Sequence, residues 1–107
     1  MLGELEELQA WYAAQCDGDW EHDYGVDITT LDNPGWRVRI PLAGTSLEHA
    51  AFPEVRDLVP EVAWMHRQVT QGRFEGAGGP LMLGRILRTF LDWARHADGQ
   101  GAGAATG

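Results

Sequence analysis

The chain has 107 residues, 44% hydrophobic and 22% charged, which is typical of one small globular domain with a single core. Eight Arg and no Lys stand against sixteen acidic residues, and the net charge of −8 disfavours nucleic acid and anionic lipid as partners. The sequence has no apolar run of membrane-spanning length and no secretory signal, and its single cysteine is consistent with a reducing compartment. We therefore expect a cytoplasmic protein.

The acidic residues are unevenly distributed along the chain. Nine of the sixteen fall between Glu4 and Asp32, and the first basic residue is Arg37. Acidity alone has a simple explanation in solubility, but its concentration in one third of the chain favours a basic partner.

Apolar spacing predicts a helix followed by two strands. A helical period runs from Leu2 to Gln15 and gives a stripe of Leu5, Leu8 and Tyr12. The period changes to two from His22, which predicts a strand whose inward residues are Tyr24, Val26, Ile28 and Thr30. After DNPG, a second strand has the inward residues Trp36, Val38, Ile40 and Leu42.

The two strands are predicted to form a hairpin whose register follows from parity. Because both inward sets carry even numbers, paired residues must sum to an even number. This predicts Asp32 opposite Trp36 and Thr30 opposite Val38, with a loop over 33–35. A two-residue Pro-Gly loop would set apolar against polar faces and is disfavoured.

The second half of the chain predicts more strands and a final helix. FPEVRDL is a possible short strand, which Pro53 would confine to a sheet edge. A strand over Val62–Gln71 leads through a Gln71-Gly72 turn to a short strand around Phe74, after which EGAGGP is expected to break the sheet. Pro80 suits the first position of a helix, whose apolar stripe is Leu83, Ile86, Leu87, Phe90 and Ala94.

The predicted fold class is therefore α+β. We expect a single antiparallel sheet of four or five strands, with the N-terminal and the C-terminal helix packed on one face and the other face open. The domain spans residues 1–97, and the Gly/Ala-rich segment 98–107 is expected to be a disordered tail.

The stretch CDGDWEHDYG holds one thiol, one imidazole, four carboxylates and a tryptophan. It fails as a calcium loop, because counting from Asp17 places His22 where Gly is needed and Ile28 where Glu is needed. Zinc would require a second Cys or His pair near Cys16 and His22, and the sequence offers none nearby. Cys16 follows a helix and stands among carboxylates, which makes a poor nucleophile.

A loop of carboxylates around a large aromatic residue remains, and this composition is common at binding hot spots. Trp20 has two possible roles, as an anchor for a partner or as a cover for the edge of the core. The residues by themselves leave both roles open.

The segment LQAWYAAQCDGDWEHDYGVDITTLDNPGWRVRIPLAGT resembles the signature region of the bacterial immunity protein 53 family. GRFEGAGGP, followed by ILRTFLDWA, resembles the C-terminal part of the same family, so that the resemblance covers Leu8 to Ala94. The resemblance implies a protein encoded beside a polymorphic or contact-dependent toxin, which protects the producing cell by binding that toxin. It also implies no enzymatic activity.

The leading hypothesis is an immunity protein, monomeric or weakly dimeric and without metal or cofactor, that binds a basic toxin such as a nuclease. An acidic module that binds another cytoplasmic protein is the alternative, and a small enzyme using Cys16 and His22 is a third. The candidate toxin-binding residues are the carboxylates and tryptophans of the acidic third and the hairpin: Asp17, Asp19, Trp20, Glu21, Asp23, Asp27 and Trp36.

Overall fold

A computed structural model gives the backbone of residues 3–52, 55–57 and 64–106, and the side chains of residues 3–52 and 64–97. Over these residues the chain forms helices and strands in the order α1 (Glu4–Gln15), α2 (Trp20–Asp23), β1 (Asp27–Leu31), β2 (Gly35–Pro41), β3 (Val55–Asp57), β4 (Met65–Thr70), β5 (Arg73–Gly78) and α3 (Leu83–Thr106). The start of the strand predicted at Val62, and Pro53, lie outside the described residues.

The five strands form one antiparallel sheet in the order β1-β2-β5-β4-β3. The predicted fold class is confirmed, and the short strand expected in FPEVRDL is confirmed as the edge strand β3. Gln71 and Gly72 form the predicted turn between β4 and β5, with φ of 53° and 75°. Such positive φ values are typical of two-residue hairpin loops.

The β1–β2 hairpin has the predicted parity but a register shifted by two residues. Thr30 pairs with Trp36 and Leu31 with Gly35, so that the loop is Asp32-Asn33-Pro34, with a cis peptide before the proline. The prediction of Asp32 opposite Trp36 is therefore wrong. Gly35 belongs to β2 because a Cβ there would lie 2.2 Å from the carbonyl oxygen of Gly78 on β5, a closeness that only glycine allows.

Two glycines that were expected to break the sheet lie inside it. β5 continues through Gly76 and Gly78, which pair with Val38 and Trp36 of β2. A Cβ on Gly76 would lie 2.4 Å from the Cγ2 atom of Ile86 on α3. Because glycine has no side chain, α3 can pack close to the middle of the sheet. In the sequence, glycines with this role in a strand cannot be distinguished from glycines in a loop.

The final helix begins three residues later than predicted. Pro80 lies in the turn that leads from β5 onto the helix-bearing face, and helix α3 starts at Leu83. Backbone hydrogen bonds hold this turn, from Gly79 N to Trp64 O and from Met82 N to Gly79 O, each 3.0 Å long. The chain needs these residues to change direction, which overrides the preference of proline for the first helical position.

The core lies between α3 and the sheet, as the apolar patterns of β2 and α3 predict. For the first strand the prediction is partly wrong, because β1 begins only at Asp27 and the predicted inward residues Tyr24 and Thr30 are exposed. From the helix the core receives Ile86, Leu87, Phe90, Leu91 and Ala94, and from the sheet chiefly Val38, Ile40 and Phe74. Helix α1 packs beside α3, where Leu8 is buried and the ring of Trp11 meets that of Phe90 edge-on, at 5.0 Å between centroids.

Only part of the predicted α1 stripe is buried. Leu8 faces the core, whereas Leu5 and Tyr12 are 59% and 36% exposed, because α1 lies along the flank of α3 rather than across the sheet. An ion pair fixes this arrangement, since the Glu7 carboxylate contacts both Arg88 and Arg95 of α3. The hydrogen bond from Arg88 holds the pKa of Glu7 below its ordinary value.

The backbone of α3 continues to Thr106 and so passes through most of the segment expected to be disordered. The side chains beyond Ala97 lie outside the described residues, and the disorder of 98–107 stays a prediction. Over the described residues, none of the helices is both long and apolar enough to cross a membrane.

Gly76→Ala is expected to destabilise the protein by about 1–3 kcal/mol, because its new methyl group overlaps Ile86. Gly25→Ala is the matched control, since a Cβ at Gly25 would meet no atom within 4 Å. Urea unfolding of the three proteins measures the difference. Equal stability of the two variants would show that α3 does not depend on the close approach.

Candidate binding surface

The loop between α1 and β1 is built by two of its own carboxylates. Glu21 accepts hydrogen bonds from the backbone N–H groups of Asp17, at 3.0 Å, and Gly18, at 2.9 and 3.2 Å to its two oxygens. The Oδ1 atom of Asp17 accepts from the N–H groups of Asp19 and Trp20, at 2.9 and 3.0 Å. Asp17 and Glu21 therefore shape the loop, and their oxygens are largely occupied.

These backbone hydrogen bonds also keep Asp17 charged. The N–H group of Trp20, and after it that of Asp19, lowers the pKa of Asp17 from its ordinary value. The contribution to stability is fully present above the ordinary aspartate pKa and is lost as pH falls through the lowered value. The loop geometry is thus maintained at neutral pH.

Trp20 pins the loop to the body of the domain. Its side chain is only 6% exposed, its indole N–H donates to the carbonyl oxygen of Ala43 at 2.8 Å, and its ring lies against Gly44. Of the two roles that the sequence left open, this burial favours the structural one.

Two tyrosines lie next to the buried indole, and neither was among the candidate toxin-binding residues. Tyr12 on α1 and Tyr24 after α2 have ring centroids 6.0 and 5.8 Å from that of Trp20. They are 36% and 40% exposed, so that each presents part of its ring to solvent. Two sequence features could have identified them as candidates. Tyr24 lies inside CDGDWEHDYG, and Tyr12 lies one helical turn before Cys16.

Two exposed carboxylates adjoin the aromatic residues in the chain, since Asp19 precedes Trp20 and Asp23 precedes Tyr24. Asp19 and Asp23 are exposed, and within the described part of the chain neither forms an ion pair. We call Tyr12, Asp19, Asp23 and Tyr24 the acidic surface. It combines rigid aromatic area with unpaired negative charge.

The two remaining candidates lie at different places on the hairpin. Asp27 is exposed at the start of β1, opposite Arg39 and three residues after Tyr24. Trp36 is the second residue of β2, at the opposite end of that strand from Arg39 and Pro41. Its indole N–H donates to the carbonyl oxygen of Pro80 at 3.0 Å, so that Trp36 holds the turn before α3.

The thiol and imidazole of the loop are not assembled into a larger cluster. Cys16 is exposed, and its Sγ donates to the carbonyl oxygen of Tyr12 at 3.4 Å. Among the residues whose side chains are described, no three of His, Cys, Asp and Glu are grouped as metal ligands.

A family model described as Immunity protein 53 matches residues 5–95 of the chain. The chain belongs to the immunity protein 53 family. Neither a curated protein nor a solved structure gives a significant match. The match covers nearly all of α1, the loop with the acidic surface, the sheet and about half of α3. The chain is therefore an immunity protein, and membership implies a toxin protein as its partner.

Trp20→Phe tests the structural role of the indole. The variant loses the hydrogen bond to Ala43 and part of the buried ring, and is expected to be destabilised by about 1–3 kcal/mol. Tyr24→Phe keeps its ring and serves as the control, with stability within about 0.5 kcal/mol of the parent. Thermal and urea unfolding give both values, and an unchanged Trp20→Phe stability would refute the anchoring role.

Proposed function

We propose that this immunity protein neutralises a basic toxin, such as a nuclease, by binding it through the acidic surface. The supporting observation is the pair of half-exposed tyrosines in contact with the buried Trp20, together with Asp19 and Asp23, which form no ion pair in the described part of the chain. Neutralisation would follow from occupying the active site of the toxin or a surface next to it. No catalytic step and no cofactor is needed for this, and the protein would act in the cytoplasm.

The carboxylates suit a role in association. Asp19 and Asp23 project from a chain with a net charge of −8, and nine of its sixteen acidic residues precede the first arginine. Opposite charges on two partners raise the rate of encounter, and a nuclease must itself be basic where it attracts phosphate. The free charges therefore favour a basic toxin.

The tyrosines suit a role in retention. Tyrosine buries a large rigid area with few rotatable bonds, and it is enriched among residues that dominate binding energy. The rings of Tyr12 and Tyr24 pack against the ring of Trp20, whose indole N–H donates a hydrogen bond to the carbonyl oxygen of Ala43. Little conformational entropy is lost when rings held in this way meet a partner.

Exchanging the free carboxylates tests the charge. The double variant Asp19→Asn and Asp23→Asn is expected to associate roughly tenfold more slowly with the toxin encoded beside its gene, with a weaker dependence on salt. Tyr24→Ala is expected to accelerate dissociation roughly tenfold or more with little effect on association. Surface plasmon resonance at several salt concentrations measures both rate constants.

The matched control removes two exposed charges elsewhere. Glu6→Gln with Asp32→Asn alters α1 and the hairpin loop, both outside the acidic surface, by the same net charge. If the control slows association as much as the Asp19 and Asp23 variant, net charge rather than this surface steers binding. Unchanged rates in both the carboxylate and the Tyr24 variants would reject the proposed surface.

A further inference from the structure

The face of the sheet opposite the helices carries Arg37 and Arg39 of β2, one in each of two rows that run across the strands. Strand register places Thr29, Arg37, Ala77 and His66 side by side across four strands on this face. The next row along is Asp27, Arg39, Glu75 and Gln68. The core residues Val38, Ile40 and Phe74 alternate with these and point to the helices, so that none of the described helices packs on the two rows.

One carboxylate serves two of the arginines on this face. Glu75 contacts the Nε atom of Arg73 at 2.6 Å and that of Arg39 at 3.9 Å. Arg37 has no ion pair within the described part of the chain, and its neighbour on β5 is the small Ala77. In an acidic protein, a charge without a counter-charge on an uncovered sheet face is available to a partner.

Polar atoms on the two rows are buried without a hydrogen bond. Among the described residues, the hydroxyl of Thr29 and the Nε atoms of Arg37 and Arg39 have no hydrogen-bond partner in the structure. Thr29 lies directly opposite Arg37 in the hairpin. Leaving such groups unsatisfied is unfavourable. Because the three atoms are buried, an acceptor supplied from outside would reach them only when the arginine side chains move, and it would then satisfy them.

We propose that the open sheet face centred on Arg37 binds a carboxylate of an acidic segment of the toxin. A carboxylate accepts from an arginine fork in a bidentate manner and can also accept from a hydroxyl such as that of Thr29. This inference rests on the proposed function and adds a second contact of opposite charge to it. The net charge of −8 opposes a polyanion such as nucleic acid, whereas one or two carboxylates in a protein segment meet the local arginines.

Asp27 connects the open sheet face to the acidic surface along the chain. Asp27 stands three residues after Tyr24 and directly opposite Arg39, so that β1 leads from one surface to the other. A toxin that contacts both surfaces would meet negative charge at the acidic surface and positive charge at the sheet face around Arg37. Such a pattern fixes orientation, because a partner docked the wrong way round places like charges together.

Arg37→Gln is expected to weaken binding of the toxin encoded beside the gene roughly tenfold or more, with an unchanged melting temperature. Arg37→Lys keeps the charge but lacks the fork, and is expected to recover only part of the affinity. Arg85→Gln, which removes an exposed arginine from α3, is the control and is expected to bind like the parent. Isothermal titration calorimetry gives the affinities.

A second measurement separates this inference from the proposed function. Acetylated hexaglutamate is titrated into the parent protein while NMR follows the arginine Nε–H signals, with hexaglutamine as the control peptide. If the parent does not bind the toxin, the proposed function fails, and a hexaglutamate shift larger at Arg37 than at Arg85 still supports a carboxylate site.

Two results would overturn the inference. The first is that Arg37→Gln binds the toxin as tightly as the parent does. If the parent binds no toxin, the corresponding result is a hexaglutamate shift at Arg37 that is no larger than the shift at Arg85. The other is self-association in analytical ultracentrifugation that Arg37→Gln abolishes while toxin affinity stays unchanged, which would assign the face to a second copy of the chain.

Discussion

The close packing of α3 on the glycines of β5 is the constraint on which the rest of the structure depends. Gly76 and Gly78 have no side chains that would hold the helix away. A Cβ atom on either glycine would project into the space that Ile86 and Met82 of the helix-bearing face occupy. Because α3 covers one face of the sheet, α1 can pack along its flank through Leu8 and the Glu7 ion pairs. None of the described helices packs on the other face.

The same arrangement positions both proposed contact surfaces. Helix α1 ends at Gln15, and the loop that follows is pinned to the end of β2 by the indole of Trp20. Within that loop the four carboxylates divide into two classes, because Asp17 and Glu21 bind backbone N–H groups and Asp19 and Asp23 do not. Acidic composition therefore overstates the charge that is free to meet a toxin.

Much of the fold could be predicted from periodicity, and the errors have local physical causes. The alternation of Val38, Ile40 and Leu42 and the helical stripe through Ile86 and Phe90 identified the core correctly. The hairpin register was missed because Gly35 is required beside the β5 backbone rather than in the turn. A glycine that allows close approach and a glycine that turns the chain look alike in sequence.

The sequence indicated which segment of the chain holds the candidate site, but not which of its residues are buried and which are exposed. The acidic stretch was identified from composition and family resemblance, and the family match supports an immunity protein with a toxin partner. The burial of Trp20 and the exposure of Tyr12 and Tyr24 depend on contacts between α1, the loop and the segment after β2. Such tertiary contacts are not encoded in local spacing.

Hydrogen exchange with and without the toxin reports directly whether the toxin contacts the loop between α1 and β1. We expect slower exchange of the amides from Asp19 to Tyr24 in the complex, with unchanged exchange of the Asp32 and Asn33 amides in the hairpin loop at the other end of β1. Protection confined to that hairpin loop or to α3, with exchange from Asp19 to Tyr24 unaltered, would contradict this contact.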